Sequence, residues 1–273
     1  MAQMSVIWLR VAAALYSLGL LHAILTLVRR REHLFRVALG AFGLASVFHF
    51  VSIVEEGIVN NRCPINNFYE TLSMCAFLLV LLYLFAHWRF KLESLSVFVF
   101  PLVFVASLVA TMGNPVAGWS NPAVKNIWLI VHIVLVLLGL AALLLAAIAS
   151  LVYLFQEREL KRKKPRKSYY RLPALGTLDD LISQAMAVGF VLITLAVIAG
   201  TTWAFIEARP GWQTDPKIVI SFITWGIYMA LVFLRTVVGR RGRKAAIMTV
   251  TVSAFAALTW AAHARLGNLF FKS

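Results

Sequence analysis

Eight stretches of the chain stay mostly apolar for about as long as a helix needs to cross a bilayer, roughly 20 residues. They run over 5–28, 37–58, 69–88, 95–113, 126–155, 183–206, 217–236 and 244–266. The pattern predicts an all-α, polytopic membrane protein of eight transmembrane helices, a single integral membrane domain over 1–273. The first stretch reads as a spanning helix and not as a cleavable signal. Its leading residues MAQMS carry no positive side chain, its apolar run is long, and RRR follows it.

The polar positions between the stretches are arranged as informatively as the apolar ones. Nineteen of the 26 Lys and Arg residues lie in 29–36, 89–91, 156–171 and 235–244. Alternate connections therefore differ sharply in basic charge, and the basic ones face the cytoplasm. Both termini and the connections 59–68, 114–125 and 207–216 then face outward, in a bacterial-type inner membrane. The only sizeable soluble element is the basic cytoplasmic link 156–182. Its first half is expected to continue the fifth helix into water. Pro165 and Pro173 should break that helix, and Leu178–Ile182 begins the sixth with Thr177 as its cap.

Composition agrees with a bilayer: 61% of residues are hydrophobic and 14% charged, against about a quarter charged in soluble domains. The net charge of +15 does not indicate nucleic acid, because the basic residues come in blocks between apolar stretches. Membrane lipid is the expected surrounding partner. Two cysteines without CxxC or CxxCH spacing exclude a disulfide scaffold and covalent haem attachment to this chain. Cys75 reads as a packing residue and Cys63 as an inert loop thiol.

A polar ring inside a membrane is costly and is by default a functional hypothesis. Depth sorts the six histidines. His33 and His87 fall at the cytoplasmic side and should be solvated, and His22 is placed to bond a neighbouring helix. His132 lies six residues into the fifth stretch and His263 three residues from the outer end of the eighth. At 1.5 Å per residue these depths are roughly 9 Å and 5 Å. The end of the sixth stretch, a short aromatic loop and the seventh stretch together form the run GTTWAFIEARPGWQTDPKIVISFITWGIYMALVFLR, over 200–235. Two neutral imidazoles at one depth could supply both axial bonds to a haem iron, at roughly 2 Å each. The tryptophans could pack on the porphyrin, and Lys125, Arg209 or Arg265 could meet its propionates. Tryptophans also collect at membrane interfaces, so Trp119, Trp203 and Trp212 could equally be belt residues. Depth alone does not choose between these readings.

The order of motifs resembles the membrane family of cytochrome c assembly proteins of the CcsA, CcmC and HemX type. The resemblance runs through CPINNFYETLSMCAFLLVLLYL with His49 before it, through WLIVHIVLVLLGLAALLLAAIASLVYLFQERELKRKK, and through TLDDLISQAMAVGFVLITLAVIAGTTWA. The 200–235 run then occupies the place of the family's tryptophan-rich WWD signature, and His263 that of its second outer histidine. The resemblance implies haem b held transiently by His132, His263, Trp203, Trp212, Asp215 and Trp225, with the two histidines as axial ligands. It also implies delivery to apocytochrome c alongside a second biogenesis subunit, the chain being at most a subunit of a haem-attachment complex and holding no catalytic residue of its own. Asp215 could in addition cap the seventh helix.

Two positions depart from the family pattern. The Trp-x-Trp-Asp core reads Trp212-Gln213-Thr214-Asp215, and a later intramembrane histidine is replaced by Phe233. His49 is the intramembrane histidine left to substitute. The departures lean toward the HemX-like branch, so the alternative function is a non-catalytic membrane regulator or scaffold of tetrapyrrole biosynthesis. A small transporter is less favoured, because no inverted repeat or broken helix pair of the midplane-site kind is evident.

Overall fold

The computed structural model describes residues 2–29, 32–60, 63–65, 67–113, 127–161, 173–206, 216–236, 239 and 242–270, with the side chains of the last helix followed as far as Ala256. The regular structure among the described residues is helical. It comprises α1 (Ala2–Arg29), α2 (Glu32–Val59), α3 (Phe68–Phe90), α4 (Ser96–Ala110), α5 (Ile127–Leu160), α6 (Leu175–Ile206), α7 (Pro216–Thr236) and α8 (Arg243–Phe270), with a 3-10 turn at Glu93–Leu95. Each of the eight expected helices is present. Among the described residues α1 to α7 are long and apolar enough to cross a membrane. Leu21, Val47, Phe50, Phe85, Val191 and Ile198 are exposed on them. A helix apolar on its outer as well as its inner face suits lipid, where no water is present to repel the outer side chains.

α6 starts at Leu175, three residues before the expected start at Leu178 and eight before the apolar stretch at 183. Leu178 N–H donates to the Ala174 carbonyl, so Thr177 lies inside the first turn and is not the cap expected from the sequence. The extra turns are held because Leu178, Leu181 and Ile182 are buried while Asp179 pairs with Arg235. A hydropathy window sees only the two aspartates and stops short. Arg235, counted above among the loop charges, is itself 4% exposed.

The chain divides into two compact units, 1–125 and 126–273. In the first, α1 packs on α2, α2 on α3, α3 on α4, and α4 back on α1. The second repeats that closed circuit with α5, α6, α7 and α8. Each is therefore a four-helix arrangement in which sequence neighbours are also spatial neighbours, as short connections favour. Aromatic side chains fill the first unit: Tyr16, Phe42, Tyr83 and Phe100 are all buried, with Phe42 stacked on Phe100. Its α3 starts on a reciprocal cap, Glu70 N–H donating to Asn67 Oδ1 at 2.8 Å and Asn67 Nδ2 donating to Glu70 Oε1 at 3.0 Å.

Small residues do the same work in the second unit. Gly139, Ala142, Ala146 and Ala149 of α5 and Ala185, Gly189 and Ala196 of α6 are buried. Without bulky side chains the two backbones approach closely, which is how helices gain packing energy when water cannot drive them together. A Cβ added at Gly189 would lie 2.5 Å from Tyr228 Oη and 3.3 Å from the Gly139 carbonyl oxygen. Gly189→Ala is therefore expected to destabilise the protein by about 1–3 kcal/mol through overpacking. Adding Tyr228→Phe should recover part of that loss by removing the clashing hydroxyl. Thermal unfolding of the detergent-solubilised variants checks both, and an unaltered midpoint for Gly189→Ala would contradict the close approach.

Candidate functional site

Four helices of the second unit line a cavity of about 250 Å³. From α5 come His132, Val136, Leu140 and Leu143, steps of four, four and three residues that put side chains in a column on one helix face. Ile193, Ala196 and Val197 close it from α6, Ser221, Thr224, Trp225 and Tyr228 from α7, and Val252 and Ala256 from α8. The lining is apolar apart from one imidazole, three hydroxyls and an indole. That is the usual make-up of a ligand pocket, where a few polar groups orient an apolar guest.

His132 is the group in it with coordinating chemistry, and its orientation is fixed. Nδ1 lies 2.6 Å from the Ala196 carbonyl oxygen of α6. A carbonyl only accepts, so Nδ1 carries the proton and Nε2 of the neutral ring keeps its lone pair. This is the arrangement in which a metal-binding histidine is commonly held, its far nitrogen tethered to backbone. The tether depends on Gly200, one turn after Ala196. A Cβ there would stand 2.6 Å from His132 Nδ1 and 2.7 Å from Cε1. Gly200→Ala should push the imidazole off the Ala196 carbonyl and lower its capacity to bind a ligand, at about 1–3 kcal/mol in stability. Ligand loading measured against the folded fraction separates the two effects, and full loading would show that the ring does not need this seat.

Trp225 is set with comparable care. Its Nε1–H donates to Thr194 Oγ1 at 3.0 Å, and its ring stacks on Phe190 at 6.3 Å between centroids. Tyr228, three residues on, donates its hydroxyl proton to the Met186 carbonyl at 2.7 Å and meets Phe190 edge-on. Sequence reading missed Thr194, Phe190, Tyr228 and the seat at Gly200. The available signal was the helical spacing: Trp225 and Tyr228 are i, i+3, and Ala196 and Gly200 are i, i+4.

Of the residues singled out from sequence, the structure brings His132 and Trp225 into one cavity. Trp203 is half-buried on α6, one turn beyond Gly200. His263 belongs to α8, seven residues after Ala256, but its side chain lies outside the described part, as does that of Arg265. Trp119, Lys125, Arg209, Trp212, Thr214 and Asp215 also lie outside the described residues. His49 belongs to the first unit and is fully buried, with both ring nitrogens engaged by hydroxyls. Phe233 is 54% exposed on α7. Two minor expectations are corrected. His22 Nδ1 bonds the Leu18 carbonyl of its own helix at 2.8 Å and not a neighbour. His87 is half-buried beside Phe35 and Tyr83 instead of solvated, because α3 continues past it to Phe90.

No group of three or more His, Cys, Asp or Glu side chains able to hold a metal ion occurs among the described residues. A metal here would need to bring most of its own ligands, as a porphyrin iron does with four ring nitrogens. His132, with Nε2 keeping its lone pair in an otherwise largely apolar lining, has the donor chemistry to hold such an iron.

Comparison with known proteins supplies the setting. Residues 65–261 match the family described as "Cytochrome C assembly protein". The chain is 25% identical to the "Cytochrome c biogenesis protein CcsA" of the alga Heterosigma akashiwo, over 69% of each chain. It is 27% identical to the protein of that name in Prochlorococcus marinus strain MIT 9301, over 71% of this chain and 70% of the relative. It is also 27% identical to that of Atropa belladonna, over 72% of each.

Proposed function

Because the chain belongs to the cytochrome c assembly protein family, we propose that it is a haem-binding membrane protein of cytochrome c maturation. The observation that carries this reading is the His132 tether, which commits Nδ1 and leaves Nε2 unused on a ring that lines an apolar cavity together with Trp225. Trp203, Trp212, Trp225 and Asp215 would surround the haem, and His263 would hold its iron together with His132. Its place fits that role in register, two helical turns along α8 from the cavity residue Ala256.

Bound haem would supply the vinyl groups that become thioether-linked in a c-type cytochrome. The protein's own contribution is positioning. The Ala196 tether holds one imidazole, Thr194 and Phe190 hold the Trp225 indole, and the apolar lining keeps water from the iron's surroundings. The loop 207–216 faces the exterior of a bacterial-type cytoplasmic membrane, and apocytochrome c with a second biogenesis subunit meets it there.

Deletion of the protein is expected to lower c-type cytochromes severalfold while b-type haem content stays constant. In-gel haem staining and membrane difference spectra measure the two separately. A second reading is favoured by Phe233, which stands where the family carries a histidine and cannot ligate iron. On that reading the chain is a HemX-like regulator of tetrapyrrole synthesis. Unchanged c-type cytochromes with altered total haem in the deletion strain would select it.

A further inference from the structure

The first unit contains a buried titratable side chain that lies outside the cavity lined by His132 and Trp225. His49 is 0% exposed in the interior of α2. Its Nε2 lies 2.8 Å from Ser73 Oγ of α3, and its Nδ1 3.3 Å from Tyr16 Oη of α1. Tyr16 and Phe77 also meet the ring edge-on at 5.9 and 5.6 Å. Both partners are hydroxyls, and a hydroxyl can donate or accept. The line Ser73–His49–Tyr16 is therefore satisfiable with the proton on either ring nitrogen, and equally with protons on both. His132 is different: its carbonyl partner permits one state of Nδ1 only.

Ser73 has a second neighbourhood. With Ser5, Ser52, Glu56, Asn67, Glu70 and Thr111 it lines a small cavity near the end of the unit where α1 begins and α2 ends. The cavity measures about 30 Å³, and a water needs about 10–15 Å³ with two to four polar partners. One or two waters fit, and the lining offers partners in plenty. Seven residues separate Glu56 from His49 on α2, roughly 10 Å along the axis. A single hydroxyl thus joins a water-sized polar cavity to an imidazole deep within the bundle.

We propose that His49 is an intramembrane proton-binding site loaded from this cavity through Ser73. In the loading step a protonated cavity water gives its proton to Ser73 Oγ while the Ser73 hydroxyl proton passes to His49 Nε2. The water becomes neutral, Ser73 is regenerated, and the imidazole gains one positive charge. Nδ1–H then donates to Tyr16 Oη. A buried imidazolium is costly without compensation. The ionisable groups on the helices around it include Tyr16 on α1, Glu55 and Glu56 on its own helix, and Tyr69, Glu70, Cys75 and Tyr83 on α3, of which Glu56, Tyr69 and Glu70 line the cavity. α4 brings no ionisable side chain, only the Ser107 and, just past its end, Thr111 hydroxyls. Glu70, 6% exposed and on the cavity wall, is the natural counter-charge.

The test uses the full chain, labelled with ¹⁵N-histidine and reconstituted in lipid nanodiscs, with the His49 resonances assigned from a His49→Gln sample. Solid-state NMR follows both ring nitrogens from pH 8 to pH 4.5. The expected result is conversion to the doubly protonated ring within this range, with Glu70→Gln moving the midpoint down by at least about one pH unit. Ring-proton exchange with D₂O should slow at least about tenfold in Ser73→Ala and return in Ser73→Thr, which keeps the hydroxyl and controls for misfolding. A ring that stays in one neutral tautomer to pH 4.5, or exchange that Ser73→Ala leaves unchanged, would overturn the proposal and leave His49 as a static bridge between three helices.

Discussion

Purified His132→Ala protein is expected to lose the low-spin bis-imidazole spectrum and to bind haem at least about tenfold more weakly. Disturbing only the outer partners of a metal ligand commonly costs 10–100-fold in metal affinity, so removing the ligand sets that as a lower bound. The expectation rests on one geometric fact. Nδ1–H is committed to the Ala196 carbonyl, so Nε2 is the nitrogen left for iron. Two controls separate lost ligation from lost fold. Added imidazole should restore the low-spin bands in His132→Gly, because it can occupy the space the side chain vacates. Trp225→Phe should weaken loading without changing the spin state, since the Thr194 hydrogen bond is lost but no ligand is. His263→Ala should resemble His132→Ala in spectrum. Wild-type protein that cannot be loaded with haem would end the haem reading, and normal spectra in both histidine variants would end the ligand assignment.

Much of this was readable from sequence because lipid imposes simple rules. A spanning helix must be long and apolar, so eight helices could be counted directly. His132 stood out because imidazoles are rare in such segments, and its motif context agreed with the family. The residues that seat it were not readable. Gly200 and Ala196 are small apolar residues like dozens of others in the chain, and only the α5–α6 approach shows that His132 needs the space above them. The burial of Asp179 was hidden for a related reason. Asp179 looks like a solvated charge until Arg235, 56 residues away, is placed beside it. Local pattern reports what a residue would prefer alone, and burial of a charge depends on a partner that pattern cannot locate. His49 shows the same limit from the other side. Sequence marked it as a polar ring in a membrane, but its role turns on two hydroxyls from other helices.

The buried ion pair leads to the second large effect. Asp179→Ala is expected to destabilise the protein by about 3–5 kcal/mol, the usual cost of removing one partner from a buried pair. Arg235 is 4% exposed. Its Nη2 donates to both the Asp179 carboxylate and the Asp179 carbonyl, and its Nε donates to Ser183 Oγ at 3.0 Å. Without the carboxylate the guanidinium loses this charged acceptor while staying almost wholly out of solvent. Replacing both residues, as Asp179→Leu with Arg235→Met, should be close to neutral, because two apolar side chains need no partner. A double-mutant cycle on unfolding midpoints in detergent reads the coupling, which should amount to most of the single-variant loss. The pair also bears on the cavity. Arg235 is ten residues beyond Trp225 on α7, roughly 15 Å along the same rigid helix. If the pair sets the register of α7 against α6, haem loading per folded molecule should fall in Asp179→Ala and recover only when the double variant repacks that end. Single variants within about 1 kcal/mol of the parent would mean that the charges are hydrated, and that α7 is held by Tyr228 and Trp225 instead.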